Sequence, residues 1–192
     1  MIYIEIIDNK PTRSTSFEQI GKNYQNVITT DYEDYTVNNR KYIFENGEVK
    51  LNPNWEEEQL NNAKQAKYNE ANSGAKTYLE SGEALFEFEP NKHIEATDGN
   101  IAKLTAYALA FVTGQLQPTD TVVWNTKEDE TVELNQEQIV TIINGLGTVQ
   151  ALVWSVQFPQ YVQAIETAET VEEVEAIEII YTSEIPQEET DV

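Results

Sequence analysis

The sequence contains no cysteine, one histidine and one methionine. Without cysteine, disulfides, thiolate metal sites and cysteine nucleophiles are excluded. The single histidine, His93, has no second His, Cys or Asp at ligand spacing, so most zinc sites and His-dependent triads are unavailable, and we expect a surface or half-buried structural residue. Neither GxxxxGK[ST] nor GxGxxG occurs, and the GLG at 145–147 lies in a helical pattern. We therefore expect no catalytic residue, no metal site and no cofactor.

Basic residues are few: 12 Lys and Arg against 34 Asp and Glu give a formal net charge of -22. Every basic residue lies at or before Lys127, whereas residues 128–192 carry 15 acids. Such a surface repels nucleic-acid backbones and anionic membranes, and the dispersed basic residues form no patch, so we expect no nucleic-acid partner. Three interpretations of the charge remain open: solubility of an abundant assembly, docking to a basic partner, and mimicry of nucleic acid.

Long hydrophobic runs are also lacking. The opening MIYIEIIDNK has neither the basic nor the apolar region of a signal peptide, and no apolar run approaches the roughly 18 residues that span a bilayer. We expect no membrane partner and a location in the cytoplasm or in a particle assembled there. The hydrophobic fraction of 40% over 192 residues predicts a folded protein of one ordinary domain or two small ones.

Residues 1–51 are β-rich. IYIEIID, Ile2 to Asp8, alternates apolar and polar residues as a half-buried strand, which Lys10-Pro11 should end. QNVITTD and YTV are possible short strands, and KYIFENGEVKL places Asn46-Gly47 between two β-rich arms, as in a hairpin. These features predict a small N-terminal module.

Residues 52–82 should form a linking helix. Asn52-Pro53 supplies an N-cap and a proline at the first helical position, followed by an acidic first turn. The apolar face is thin, which is typical of a solvated connector, and Ser73-Gly74 should end or kink the helix.

Residues 83–182 alternate hairpin and helix patterns. ALFEFE and HIEA predict a hairpin around Pro90, and Thr97-Asp98 should cap a helix that Gly114 ends. A second hairpin, TVVWNT-KEDE-TVEL, leads to a helix with the capping pair Asn135 and Gln138. Pro159 should kink or end that helix, and Thr170 with Glu173 should cap a short last one.

The helix after Asn135 carries the strongest apolar pattern in the chain. Its stripe has spacings of 3, 4, 3, 4 and 3 and consists of Ile139, Ile142, Leu146, Val149, Val153 and Val156. It predicts either the central core helix of a domain or a helix that mediates an oligomer or a partner contact. Gly145 and Gly147 indicate close approach of a neighbour. The candidate interface residues are Trp124, Ile139, Ile142, Leu146, Val149 and Val153.

The chain should thus be an α+β protein. Its predicted parts are a β-rich N-terminal module at 1–51, a polar linking helix at 52–82, a domain of two β-hairpins and two long α-helices at 83–182, and an acidic disordered tail at 183–192.

The order of elements from about Ala84 to Ile177 resembles a domain of unknown function found in bacteriophage tail-fibre genes and in the small fibre-assembly genes beside them. The matching segments are ATDGNIAKLTAYALAF, TVVWNTKEDETVELN with Trp124, QEQIVTIINGLGTVQALV and ETAETVEEVEAI. The glycines of the long helix and Pro159 depart from that pattern, and residues 1–51 lie outside it. The resemblance implies a structural or assembly role without catalysis, in a virion tail or in the host cytoplasm during assembly.

Two functions follow as hypotheses. The first is a phage tail-associated protein that binds a tail fibre or another tail component, with a homo-oligomer possible. The alternative is an acidic phage-encoded inhibitor of host defence that mimics nucleic acid, which would require carboxylates in rows at roughly phosphate spacing on an ordered face.

Overall fold

The computed structural model describes residues 2–7, 10–15, 24–27, 41–46 and 48–183. The chain divides into two compact units, residues 1–62 and 63–192, which are described separately below as the N-terminal unit and the C-terminal unit. Helices and antiparallel strand pairs together make an α+β protein, as predicted. The boundary between the units falls inside a helix and not at the predicted positions near residues 52 and 83.

The N-terminal unit contains a three-stranded antiparallel sheet and a hairpin. Strands β1 (Ile2–Ile7), β2 (Lys10–Thr15) and β3 (Tyr24–Val27) are ordered β2-β1-β3 in the sheet. The predicted opening strand forms as β1 and ends at Ile7, before Lys10-Pro11 as expected. Lys10 and Pro11 nevertheless open a second strand that was not predicted, in which Pro11 pairs with Ile6 just past an irregularity in the register. Since β2 is an edge strand, it tolerates the missing N–H of proline.

The predicted Asn46-Gly47 hairpin forms between β4 (Tyr42–Glu45) and β5 (Glu48–Leu51). Asn46 has a φ of 54°, as a tight hairpin turn requires. Of the predicted segment QNVITTD, the part up to Val27 lies in β3, while the remainder and the predicted strand YTV lie outside the described residues.

Helix α1 (Trp55–Glu80) lies within the linking helix predicted at 52–82 and starts slightly later than its predicted first turn. The Asn52 side chain accepts a hydrogen bond from the Asn54 amide, and Ser73-Gly74 does not interrupt the helix. The prediction of a solvated linker was correct only for the first half. In the second half, Ala71, Ala75 and Leu79 are buried in the C-terminal unit, since small side chains let neighbouring elements approach closely.

Two antiparallel hairpins and a set of helices build the rest of the C-terminal unit. The hairpins are β6 (Leu85–Glu89) with β7 (Lys92–Glu95), and β8 (Val122–Asn125) with β9 (Thr131–Leu134). Asn91 and Asp129 occupy the turns with positive φ. Both hairpins follow the predicted pattern, and Trp124 faces Val132 across the second one.

Helix α2 (Asp98–Val112) begins at the Thr97 cap, whose side chain accepts from the Asn100 amide, and is followed by Gly114 with a φ of 74°. Helix α3 (Gln136–Ala151) continues through a π-helical segment, π1 (Leu152–Gln157), into α4 (Phe158–Thr167), and a short helix α5 (Val171–Glu175) follows. Pro159 therefore marks the return from π to α geometry and does not end the helix.

The core of the C-terminal unit forms where α2, α3 and the two hairpins meet. Its largest fully buried side chains are Ile94, Leu104, Leu134, Ile139, Ile142, Leu146, Val153 and Val174. Gln150 of α3 donates hydrogen bonds to the Ala96 carbonyl and the Asp98 carboxylate, so the start of α2 lies beside the end of α3.

The start of α3 is fixed by the predicted capping box. The Asn135 side chain accepts from the Gln138 amide at 2.9 Å, and the Gln138 side chain accepts from the Asn135 amide at 3.1 Å. We expect Asn135→Ala to lower the free energy of unfolding by about 1 kcal/mol, because it leaves helix amides without a partner. Urea denaturation measures the loss. Asn135→Asp, which keeps the acceptor, should retain most of the stability, and equal losses in both variants would contradict the role of the cap.

Candidate functional site

The six residues predicted as an interface lie mostly inside the C-terminal unit. Ile139, Ile142, Leu146, Val149 and Val153 are buried, and Trp124 is half-buried against the same core. The apolar stripe thus belongs to a central core helix. Of the two interpretations that its pattern allowed, the core helix is the one that the structure shows, and not the contact helix. These five side chains offer no surface to a partner, so any contact has to use different residues.

The helices that form this core carry few charged side chains and expose several apolar ones. Lys103 is the only charged residue between Asp98 and Asp120, and there is none between Glu137 and Glu166, although 24% of the whole chain is charged. We call the exposed residues of these two stretches the neutral helical face. Its exposed apolar side chains are Tyr107, Leu109, Val112, Val140 and Val156.

Leu109 and Val112 are the most exposed apolar side chains of this face, at 60% and 76%. They lie three residues apart on α2, and the exposed Ala102 and Ala106 precede them at helical spacing. On α3, Val140 is 45% exposed beside a surface cavity of about 550 Å³ lined by Pro118, Asn135, Gln136, Glu137, Val140 and Thr141. Exposed apolar side chains on a surface with few charges are typical of protein contact sites.

A second cavity, of about 530 Å³, lies between the first hairpin and α3. Its lining includes Leu85, Phe86, Glu87, His93, Gly145, Thr148, Val149, Leu152 and Ser183. The ring of Phe86 lies over Gly145, where an added Cβ would be 2.2 Å from Phe86 Cζ. The close approach predicted for Gly145 is thus confirmed, whereas nothing lies within 4 Å of a Cβ at Gly147.

His93 joins the two hairpins through Glu128. One carboxylate oxygen of Glu128 is 2.7 Å from His93 Nδ1, the other accepts from the His93 amide at 3.1 Å, and the Lys127 amide donates to the His93 carbonyl. Beside them, Lys127 Nζ donates to Glu95 Oε1 at 2.9 Å. The turn predicted from KEDE therefore docks onto β7, and the predicted half-buried structural histidine is confirmed in that position.

These hydrogen bonds, first the one from the His93 amide and then the one from its ring, lower the pKa of Glu128 from 4.5 to about 2. The pKa of Lys127 is raised by its hydrogen bond to Glu95. Both pKa shifts thus arise from hydrogen bonds that join the turn of the second hairpin to β7. Within the described residues, no three His, Cys, Asp or Glu side chains are placed to hold a metal ion.

The low pKa of Glu128 makes its contribution pH-dependent. A carboxylate whose pKa falls on folding stabilises the protein above its ordinary pKa and loses that effect as the pH falls toward the folded value. We expect Glu128→Gln to be less stable than the wild type at pH 7, with the gap closing between pH 4.5 and about 2. Thermal unfolding of both proteins across this range tests the expectation, and a gap that stays constant with pH would refute it.

The helical run from Gln136 to Thr167 is long and apolar enough to cross a membrane by length and composition alone, with a mean hydropathy of 1.6 in its best window. This corrects the expectation that no such run exists, because no charged residue lies between Glu137 and Glu166 and the apolar side chains there outweigh the interspersed Gln, Thr and Ser. One third of that window is buried inside the fold. Core helices of soluble proteins pass the same test, so the absence of a membrane partner stays a prediction.

One further group of residues was not predicted from the sequence. Gln157 of π1 is buried, with 7% of its surface exposed. The apolar stripe predicted that Val156 would be buried instead, but Val156 is 45% exposed. Gln157, Tyr161 and Tyr181 hold the segment after α5 against the helices. The only available signal was the break in the apolar period near Pro159.

The structure defines an α+β protein whose described helices expose several large apolar side chains. Comparison of the chain with protein families, with curated proteins and with solved structures gives no match.

Proposed function

We propose that this protein is a non-catalytic phage or prophage tail-associated protein that binds a tail fibre or a baseplate component through the neutral helical face. The observation that carries the proposal is an exposed, acid-free helical surface in a chain with a net charge of -22. The resemblance of residues 84–177 to tail-fibre-associated domains supports the choice of partner.

The charge distribution favours binding at this face. Burying a carboxylate without a partner costs several kcal/mol, so a contact surface in an acidic protein is least costly where acids are absent. Leu109 and Val112 supply apolar area there, and each would gain free energy on burial. The acids elsewhere keep the unassembled protein soluble and repel wrong partners.

Co-expression of the tagged protein with the tail genes beside its own tests the proposal. A stable complex with a fibre or baseplate protein, identified by mass spectrometry and sized by light scattering, is the expected result. Leu109→Glu should weaken that complex at least about tenfold, because it would place a charge in the contact. Thr77→Glu, an exposed substitution on α1, should leave the affinity unchanged.

Two outcomes would overturn the proposal. One is a complex that Leu109→Glu and Thr77→Glu affect equally, which would place the contact elsewhere. The other is a protein that stays alone in the presence of tail proteins but captures a basic host nuclease, which would favour the nucleic-acid mimic.

A further inference from the structure

The segment after α5, residues 177–183, is held in an extended form by side chains of the helices. We call it the strap. Gln157 Nε2 donates to the Thr182 carbonyl at 2.7 Å, and Gln157 Oε1 accepts from the Thr182 amide at 3.1 Å. The Tyr161 hydroxyl does the same for Ile180, donating to its carbonyl at 2.5 Å and accepting from its amide at 3.0 Å. Two side chains thus replace a neighbouring β-strand.

The spacing explains how a helix can hold a strand. In an extended chain the N–H and C=O of alternate residues point to the same edge, and two residues span about 6.6 Å. Gln157 and Tyr161 are four residues apart on one helical run, a rise of about 6 Å. The side chains of Gln157 and Tyr161 are therefore spaced to reach Thr182 and Ile180, respectively. They bind backbone N–H and C=O groups, and every residue except proline has both.

The π-helical segment brings Gln157 into this position. A π turn adds one residue to the helical repeat and moves all following side chains around the axis. The apolar stripe would otherwise have turned Val156 inward, whereas Gln157 is buried and Val156 faces outward. A buried amide needs hydrogen-bond partners, and the backbone of Thr182 provides both.

Tyr181 anchors the strap between these two backbone contacts. Its hydroxyl donates to the Ala71 carbonyl of α1 at 2.8 Å, and its ring stacks on Tyr78 with centroids 6.3 Å apart. A Cβ on Gly74 would come within 3.3 Å of the ring, so the missing side chain makes room for it. Burial of the ring raises the pKa of Tyr181 to about 12. Ile180, in contrast, is 68% exposed, so the side chain at this position contributes little to the choice of the bound sequence.

We propose that the groove between α1 and the π1–α4 run is a peptide-binding site. Its ligand is an extended segment of another polypeptide with a tyrosine between two residues that have free backbone N–H groups. The strap occupies this site from within the same molecule, and it competes with that ligand. Gln157, Tyr161 and Tyr78, which hold the strap, are uncharged, and a chain with a net charge of -22 repels a second copy of itself, so the charges favour a different partner. This groove is separate from the neutral helical face.

Competition from the strap sets the expected affinities. A ligand tethered to its own site acts at an effective concentration in the millimolar range, so an added peptide binds only to the fraction of molecules whose strap is released. Weakening the strap should therefore strengthen binding of the peptide. A peptide that binds at another site would not produce this inverse relation.

The test uses the full chain and a fluorescent synthetic peptide with the sequence of residues 177–183, IEIIYTS. Fluorescence polarisation should show that Tyr181→Ala binds the peptide at least about tenfold more tightly than the wild type does. Tyr181→Phe keeps the ring and loses only the bond to Ala71, so it should fold normally and show an intermediate gain. On the same protein, peptides with alanine for tyrosine or proline for threonine should bind at least about tenfold more weakly.

The proposal fails if Tyr181→Phe is folded and neither variant gains affinity, or if the altered peptides bind as well as the original one. A wild-type dimer that the peptide dissociates would assign the groove to the strap of a second copy and overturn the choice of partner. Leu109→Glu should leave peptide binding unchanged, which separates this site from the proposed tail-protein contact.

Discussion

Leu146→Ala should lower the free energy of unfolding of the C-terminal unit by about 2–5 kcal/mol. Leu146 is fully buried near the middle of α3, among core side chains from the same helix, from α2 and from both hairpins. Truncation removes apolar contacts on all sides, and the surrounding elements can close the cavity only in part. The expected loss is large compared with the stability of a typical domain.

The measurement needs a probe that reports on this unit. Trp124 and Trp154 lie in the C-terminal unit and pack against its core, whereas Trp55 lies in the N-terminal unit. Urea denaturation followed by tryptophan fluorescence in a Trp55→Phe background therefore isolates the relevant transition.

Val140→Ala is the matched control for Leu146→Ala, since it truncates a 45% exposed side chain on the same helix. It should change stability by less than about 0.5 kcal/mol. If Leu146→Ala costs no more than this control, Leu146 is not in the core. The stripe would then be free to mediate an oligomer, the interpretation that the burial of its side chains disfavours.

The two glycines of α3 should respond to alanine in opposite directions. A Cβ at Gly145 would lie 2.2 Å from Phe86 Cζ and within 2.4 Å of both neighbouring ring carbons, so the ring has to leave its place. We expect Gly145→Ala to cost about 1–3 kcal/mol, the usual penalty for overpacking, despite the better helix propensity of alanine. At Gly147 a Cβ meets nothing within 4 Å, and alanine should stabilise by up to about 1 kcal/mol.

A double-mutant cycle assigns the penalty at Gly145 to its cause. In a Phe86→Ala background the ring is absent, so Gly145→Ala should lose its cost and show only the gain in helix propensity. The same denaturation measurement applies to all four proteins. Equal effects of alanine at 145 and 147 in the wild-type background would contradict the close packing of Phe86 on α3.

Most local elements could be predicted because their signals are local. Asn135 with Gln138 predicted the start of α3, and Asn46-Gly47 predicted the first hairpin, since caps and tight turns depend on side chains a few residues away. The strand β2 was missed because Pro11 is a strand breaker everywhere except at an edge, and edges are set by the order of strands.

The candidate site was harder to predict. An exposed and a buried apolar stripe have the same period, so the spacing of Ile139 and its partners could not separate a core from an interface. The neutral helical face was visible in the sequence only as two segments without acids, and which of their residues are exposed depends on the fold. The acidic tail predicted at 183–192 lies, beyond Ser183, outside the described residues.

The sequence by itself determined the α+β class, the two hairpins of the C-terminal unit, the capped helices and the extreme acidity, because each depends on composition or on neighbours along the chain. Tertiary structure alone decided that the second half of α1 joins the core, and that a π turn buries Gln157 in place of Val156. The physical reason is that Gln157 hydrogen bonds to Thr182 and Tyr181 to Ala71, across 25 and 110 residues. No periodicity within a helix encodes contacts at that separation.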